Sequence, residues 1–283
     1  MSSDTEIRRV YRPDDRAHQS SFEAVRQLAL ELWRYRDHTW TVFSQEFRRA
    51  VHGSALGVLW NYFLPVLPLT VYLLLARMQV FPGFSDVDPS SFIAFGVTLW
   101  FLAAGAIRSP IQTVAGSNRD VMKTALPLSA SIVASFALLM FETLVRLAFV
   151  GGMFVIAGKA PHIVGLMLPV VLVPMLLFFF GLGLGLAILN VISADVNRVV
   201  SVLLTYGIYL SGVIFPIPPG SALAMLNVVN PFAVFIEAAR EVVFTGTLAN
   251  PWVYAVMSVI GVLVFLVCSR VFYVMEHRIR GIV

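Results

Sequence analysis

Residues Val191–Leu248 read VISADVNRVVSVLLTYGIYLSGVIFPIPPGSALAMLNVVNPFAVFIEAAREVVFTGTL, and this stretch decides how the chain meets a membrane. Val199–Phe215 is apolar and long enough to supply most of a membrane-crossing helix. The Pro-rich corner Pro216–Gly220 ends it, and Ser221–Val243 then carries Asn227, Asn230, Pro231, Glu237, Arg240 and Glu241. A charged side chain at the centre of a spanning helix costs about 2.5–3.5 kcal/mol on insertion scales. Three of them argue against a span. The Asn230-Pro231 step divides the segment into two pieces of about ten residues, the length of a re-entrant hairpin. Asn230 is placed to cap the second piece, with Pro231 at its first helical position. Phe232, Phe235, Ile236, Ala239 and Val243 are expected on one face, opposite Glu237, Arg240 and Glu241. The expectation is a pair of short helices, about 217–248, entering the membrane from outside and returning.

The rest of the chain agrees with a membrane setting. Of its 283 residues 58% are hydrophobic and only 13% charged, with a mean hydropathy of +0.83. That profile excludes an ordinary soluble domain. The apolar runs lack the alternation of barrel strands, so the spans read as helices. Cys268 is the single cysteine, which excludes an internal disulfide. No cleavable signal peptide is legible, because the first fifty residues are polar and Arg-rich.

Six spans are expected, near Ser54–Phe81, Ser91–Val114, Leu128–Ala157, Ile163–Leu189, Val199–Phe215 and Pro251–Tyr273. Residues 1–53 form an N-terminal arm, 54–275 the membrane domain and 276–283 a tail. The arm, the loops near Gly116–Pro127 and Val191–Arg198, and the segment after Cys268 hold fifteen of the twenty Lys and Arg residues. The opposite side holds three, and Arg108 and Arg146 lie inside spans. The positive-inside rule puts both termini in the cytoplasm. A seventh span at Ser221–Val243 would place His277, Arg278 and Arg280 outside, so six crossings plus a hairpin is the better reading.

Within the arm, Met1–Ser21 reads as disordered. Phe22, Val25, Leu28/Ala29 and Leu32, then Trp40, Phe43, Phe47 and Ala50/Val51, recur at helical spacing. Such helices could lie flat on the membrane with Arg34, Arg36, Arg48 and Arg49 towards headgroups. The plainer alternative is a basic arm that only orients the chain. Ser117–Pro127 reads SNRDVMKTALP: Asn118 can cap a short helix with Val121, Met122, Ala125 and Leu126 on its underside. An apolar underside suits docking on another protein, and a mere connector would not need one.

Chemistry is conspicuous by its scarcity. The five histidines never pair at metal-ligand spacing. Gly152-to-Gly158-Lys159 has the wrong spacing for a P-loop, and Ala160 stands where Ser or Thr is required. The Gly181, Gly183 and Gly185 run follows no strand, and suits close helix packing better than a dinucleotide turn. Intramembrane charges remain. Glu142 and Arg146, four apart, either neutralise each other between helices or touch substrate. Arg108, near the cytoplasmic end of the second span, either snorkels or meets an anionic headgroup. Aromatics gather in the first, second and fifth spans: Trp60, Tyr62, Phe63, Tyr72, Trp100, Phe101, Tyr206, Tyr209 and Phe215. Some belong to an interfacial belt, and a Tyr/Trp face could also stack on sugar rings.

Taken together, four stretches resemble the permease subunit of type-2 ABC exporters of lipid-linked polysaccharides, the O-antigen and teichoic acid transporters. They are His52-Gly53-Ser54-Ala55-Leu56-Gly57-Val58-Leu59-Trp60; Ser117-Asn118-Arg119-Asp120-Val121 with Lys123 and Pro127; Ala194-Asp195-Val196; and Asn230-Pro231 with Glu237 and Arg240. His52 and Ala194 stand where the family commonly has arginine. The resemblance covers about Trp40 to Tyr273. It implies a homodimer in a bacterial inner membrane, carrying two ATP-binding cassette subunits that hold ATP and Mg, with no cofactor in this chain. It makes Asn118–Leu126 the coupling helix, including Arg119, Asp120, Val121, Met122 and Lys123, and Trp40–Val51 a gate helix. It lines a continuous conduit with Trp60, Tyr62, Tyr72, Trp100, Tyr206, Tyr209 and Phe215, and closes its outer mouth with the hairpin bearing Asn230, Pro231, Glu237 and Arg240. Arg48, Arg49 and Arg108 are the candidates to meet a polyprenyl pyrophosphate at the inner entrance.

Two rivals differ in class. A membrane-embedded transferase on polyprenyl-linked sugars would need acids or histidines converging at one membrane face, and the acids here are scattered. A secondary transporter would show interrupted helices in both halves, whereas only the C-terminal half has an obvious interruption.

Overall fold

A computed structural model of the chain describes residues 16, 19–49, 59–78, 88–116, 127–156, 158, 161–217, 220–221 and 223–282, the side chains of 49 and 277–282 excepted. Every regular element among them is helical. The helices are α1 (Ser21–Arg34), α2 (Arg36–Arg49), α3 (Trp60–Arg77), α4 (Pro89–Gly116), α5 (Leu128–Ile156), α6 (Leu168–Ile192), α7 (Asp195–Gly207), α8 (Leu226–Val229), α9 (Pro231–Phe244) and α10 (Pro251–Ile282). Single 3₁₀ turns at Ile163–Met167 and Ile208–Leu210 lead into α6 and out of α7.

Four helical stretches are long and apolar enough to cross a membrane: Pro89–Gly116, Leu128–Ile156, Ile163–Ile192 and Pro251–Glu276. This is a multi-pass membrane protein. The first and fifth expected spans are shorter. Helix α3 has 18 residues and two internal prolines, Pro65 and Pro68, each lacking the N–H that continues a helical ladder. Helix α7 has only 13 residues before its 3₁₀ turn. The chain then breaks at Gly212, which takes φ +61°, a left-handed conformation that suits glycine.

Helix α4 is the buried centre, packed against α3, α5, α6 and α9. Small residues let its neighbours approach. A Cβ on Gly183 of α6 would come within 2.8 Å of the Ala106 and Ile107 carbonyl oxygens of α4. On the same helix a Cβ on Gly181 would strike the Phe265 backbone, and one on Gly185 the Cys268 sulfur. The GLGLG run is therefore a packing seam facing two helices, as expected of small residues between membrane helices.

Two expectations need correction. Helix α1 does not leave its whole apolar stripe free. Phe22 is exposed, but Val25, Leu28, Ala29 and Leu32 border a small apolar cavity against α5, α6 and α10, where apolar side chains find dense contact. Its start is fixed by a capping box between Ser20 and Glu23. The first arm of the hairpin is not a ten-residue helix either. Among its described residues only Leu226–Val229 is helical, and the second arm, α9, runs 14 residues. Residues 223–225 form turns instead, after a corner whose Pro216 and Gly220 favour turns.

Candidate functional site

One end of the bundle is built around the break after α7. A helix end leaves carbonyls without partners, and here α9 supplies the donors. Asn230 caps α9 with its Oδ1, accepting from the Phe232 N–H at 3.0 Å. Its Nδ2 donates to the Leu210 carbonyl at 3.1 Å and to the Ser211 hydroxyl at 3.0 Å. Arg240, 2% exposed, takes the next carbonyls. Its Nη1 donates to Gly212 at 2.8 Å and to Glu237 at 3.1 Å. Its Nη2 donates to Val213 at 2.5 Å and to Phe92 of α4 at 3.3 Å. The guanidinium also lies 3.5 Å from the Phe92 ring centroid. Gly96 leaves its space: a side chain there would collide with the guanidinium.

This corrects the placing of Arg240 with Glu237 and Glu241 on a charged face. Ile236, Ala239, Arg240 and Val243 stand at i, i+3, i+4 and i+7, so the arginine belongs to the buried stripe. Glu237 stays half exposed. With Glu241, Asn250 and Tyr254 it lines a cavity of about 350 Å³.

The opposite half of the bundle has a different cavity, about 630 Å³, between α2, α4 and α5. Glu46 of α2, Arg108, Gln112 and Thr113 of α4, and Ser135 and Glu142 of α5 line it. Ser135 donates to the Glu46 carboxylate at 3.2 Å and accepts from the Thr113 hydroxyl at 3.1 Å. Arg108 Nε is buried without a hydrogen-bond partner among the described residues. Arg146 is held: it pairs with Glu142 at 3.2 Å and its Nε donates to the Pro65 carbonyl of α3 at 2.9 Å. That favours the structural reading of the Glu142–Arg146 pair. Asn61 of α3 donates to the Phe47 carbonyl at 3.0 Å, and the Phe47 and Tyr62 rings meet Phe141 edge-on. The end of α2 is thus tied to two membrane helices.

The aromatic candidates divide. Tyr206 is 65% exposed, and Tyr62 and Tyr209 are about half exposed. Tyr72 is partly buried. Trp60 and Phe215 are partly buried. Trp100 is 3% exposed, its ring lies 4.4 Å from that of Phe232, and both rings border a cavity of about 370 Å³ with Gly207, Leu210 and Ser211. Arg48 is exposed at the end of α2. The side chain of Arg49 and all of Asn118, Arg119, Asp120, Val121, Met122 and Lys123 lie outside the described residues. Sequence reasoning missed Glu46, Ser135 and Asn61, whose only signal was polarity beside apolar runs. Among the described residues no group of three or more acids, histidines or cysteines could hold a metal.

Residues 37–244 match the family model described as ABC-2 type transporter. An O-antigen export system permease protein, RfbA, of Myxococcus xanthus is 26% identical over 250 residues, covering 87% of this chain and 95% of that protein. An O-antigen export system permease protein of the same name from Klebsiella pneumoniae is 20% identical over 249 residues, 85% of this chain and 93% of that one.

Proposed function

Because the chain belongs to the ABC-2 type transporter family, we propose that it is the membrane permease of an ATP-driven exporter of polyprenyl-pyrophosphate-linked, O-antigen-like polysaccharide. The observation that carries this is the reach of the likeness to O-antigen export permeases, nearly end to end in both chains. Two copies form the conduit, and two separate ATP-binding subunits hold ATP and Mg. The chain crosses the bacterial inner membrane six times, with α3 and α7 completing the count and both termini in the cytoplasm. Residues about 217–248 form a half-depth outer gate, and 118–126 the helix that seats in the ATP-binding subunit.

A glycan of many repeats is too long to be enclosed, so transport needs a continuous path. Arg48, Arg49 and Arg108 meet the pyrophosphate at the inner entrance, where a cation offsets the cost of drying the phosphate. The exposed tyrosines of α3 and α7 offer ring faces to sugars with hydroxyls to spare, which a purely lipid-facing surface would not need.

The docking assignment is tested by replacing Val121 and Met122 together with aspartate. Co-purification of the ATP-binding subunit is expected to be lost; unchanged co-purification would refute the assignment. Deleting the gene should leave lipid-linked polysaccharide inside the cell. Normal surface polysaccharide in the deletion strain would refute the export reading.

A further inference from the structure

Three parts of the chain that are far apart in sequence meet at one buried carboxylate. Glu276, near the end of α10, is 2% exposed. Its Oε1 accepts from the backbone N–H of Leu128 at 2.7 Å. Leu128 is the first residue of α5, so the carboxylate satisfies an N–H the helix cannot, at the end where negative charge is favoured. The other oxygen of Glu276 lies 3.9 Å from Nη1 of Arg16. Arg16 donates from Nη1 to the Tyr273 carbonyl at 3.2 Å and from Nη2 to Glu31 of α1 at 3.0 Å. It also lies over the Tyr273 ring, 4.2 Å from the centroid.

Each contact alone is a local staple. Their order along the chain makes them more than that. Residue 128 is separated from the 118–126 segment by Pro127 alone, while Glu31 belongs to α1, which leads through one residue into α2. Helix α2 carries Glu46 into the cavity beside Arg108 and, through Phe47, is tied to α3 and α5. A displacement at the start of α5 therefore acts on Glu276, from there on Arg16, and through Glu31 on the helix pair that borders the cavity. Among the described residues α1 also meets the bundle through apolar side chains, which tolerate sliding, whereas paired charges hold a fixed direction.

We propose that Arg16 and Glu276 are positioning residues for transport: they form the joint that carries movement of the 118–126 segment to the N-terminal arm α1–α2. The joint rests on the reading that 118–126 docks an ATP-binding subunit. The test uses the intact complex with its ATP-binding subunits, in membranes and in a deletion strain complemented with each variant. The variants are Arg16→Met, which removes both ion pairs, and Glu276→Gln, which keeps an acceptor for the Leu128 N–H and removes the charge. Surface polysaccharide and ATP hydrolysis are measured together. Both variants are expected to keep the ATP-binding subunits and to hydrolyse ATP, while the ATP consumed per unit of exported polysaccharide rises about fivefold or more, the scale of a typical coupling between sites. An unchanged ratio in Arg16→Met overturns the joint. So does parallel loss of the folded complex in both variants, which would mark the cluster as scaffold alone. If the unaltered chain retains no ATP-binding subunit, the docking reading has failed instead.

Discussion

Arg240 and Arg108 are both arginines in an apolar bundle, and they are held in opposite ways. Arg240 has its two terminal nitrogens committed to three carbonyls and Glu237, with a ring against its face. Arg108 is only partly buried and borders a cavity of about 630 Å³. Each arginine keeps a buried Nε without a partner among the described residues, so the difference lies in the terminal nitrogens. Those of Arg240 are spent on its own chain, as a buried cation requires. Arg108, beside an open space, is the one the proposed export path could use without first breaking a packed cluster.

The sharpest way to break that contrast is Arg240→Met. It strands the Gly212, Val213 and Phe92 carbonyls and leaves Glu237 unpaired. Leaving a buried acceptor without its donor costs about 1–3 kcal/mol, and three carbonyls lose theirs at once. Thermal unfolding in detergent should show a large drop in stability, and Arg240→Lys should recover only part of it, since one ammonium cannot span the same carbonyls. A variant as stable as the parent would remove Arg240 from the role of clamp. Arg108→Gln should behave in reverse. Unfolding should be unchanged, while export slows at least about tenfold, the scale of one charge-assisted hydrogen bond. Equal loss of stability and export would place Arg108 with the scaffold.

Asn230→Ala comes next, because Asn230 serves the clamp from the other side of the same break. Loss of a helix cap costs about 1 kcal/mol, and its bonds to Leu210 and Ser211 go with it. The expected drop in unfolding temperature is smaller than for Arg240→Met and is read in the same assay. Because the two residues share the 210–213 segment, the double variant should fall short of the sum.

Much of this arrangement was legible before any coordinates. The Asn-Pro step announces the cap of α9, and the density of charge in 221–243 argues against a plain span. The glycine run of α6 reads as a seam because nothing around it could build a nucleotide fold. The direction of Arg240 was legible too, but only by giving spacing precedence over polarity: four residues after Ile236 and three before Val243, it must share their face. The meeting of Arg16, Leu128 and Glu276 was not legible, since pairs separated by over a hundred residues leave no periodic signal in one sequence. Nor was the burial of Trp100. An aromatic in a span looks the same in one sequence wherever it faces, and only the fold brings Phe232 to rest on this one.

The smallest expected effect is carried by the exposed tyrosines, and it bears on what the α7 face is for. Tyr206 and Tyr209 are exposed on a single copy of the chain, so their removal should leave the fold unchanged. Against a sugar, each ring contributes about 0.5–1.5 kcal/mol at most. Tyr206→Ala with Tyr209→Ala should therefore slow export a few-fold, with the dimer intact by cross-linking and the ATP-binding subunits still bound. The phenylalanine pair separates ring from hydroxyl. Export restored by Phe assigns the effect to stacking, and export still slow assigns it to hydrogen bonding with the glycan. If alanine instead dissolves the dimer, the face is an interface between copies. If export is normal, the path lies elsewhere, and the cavity at Arg108 becomes the better place to look for the glycan's entry.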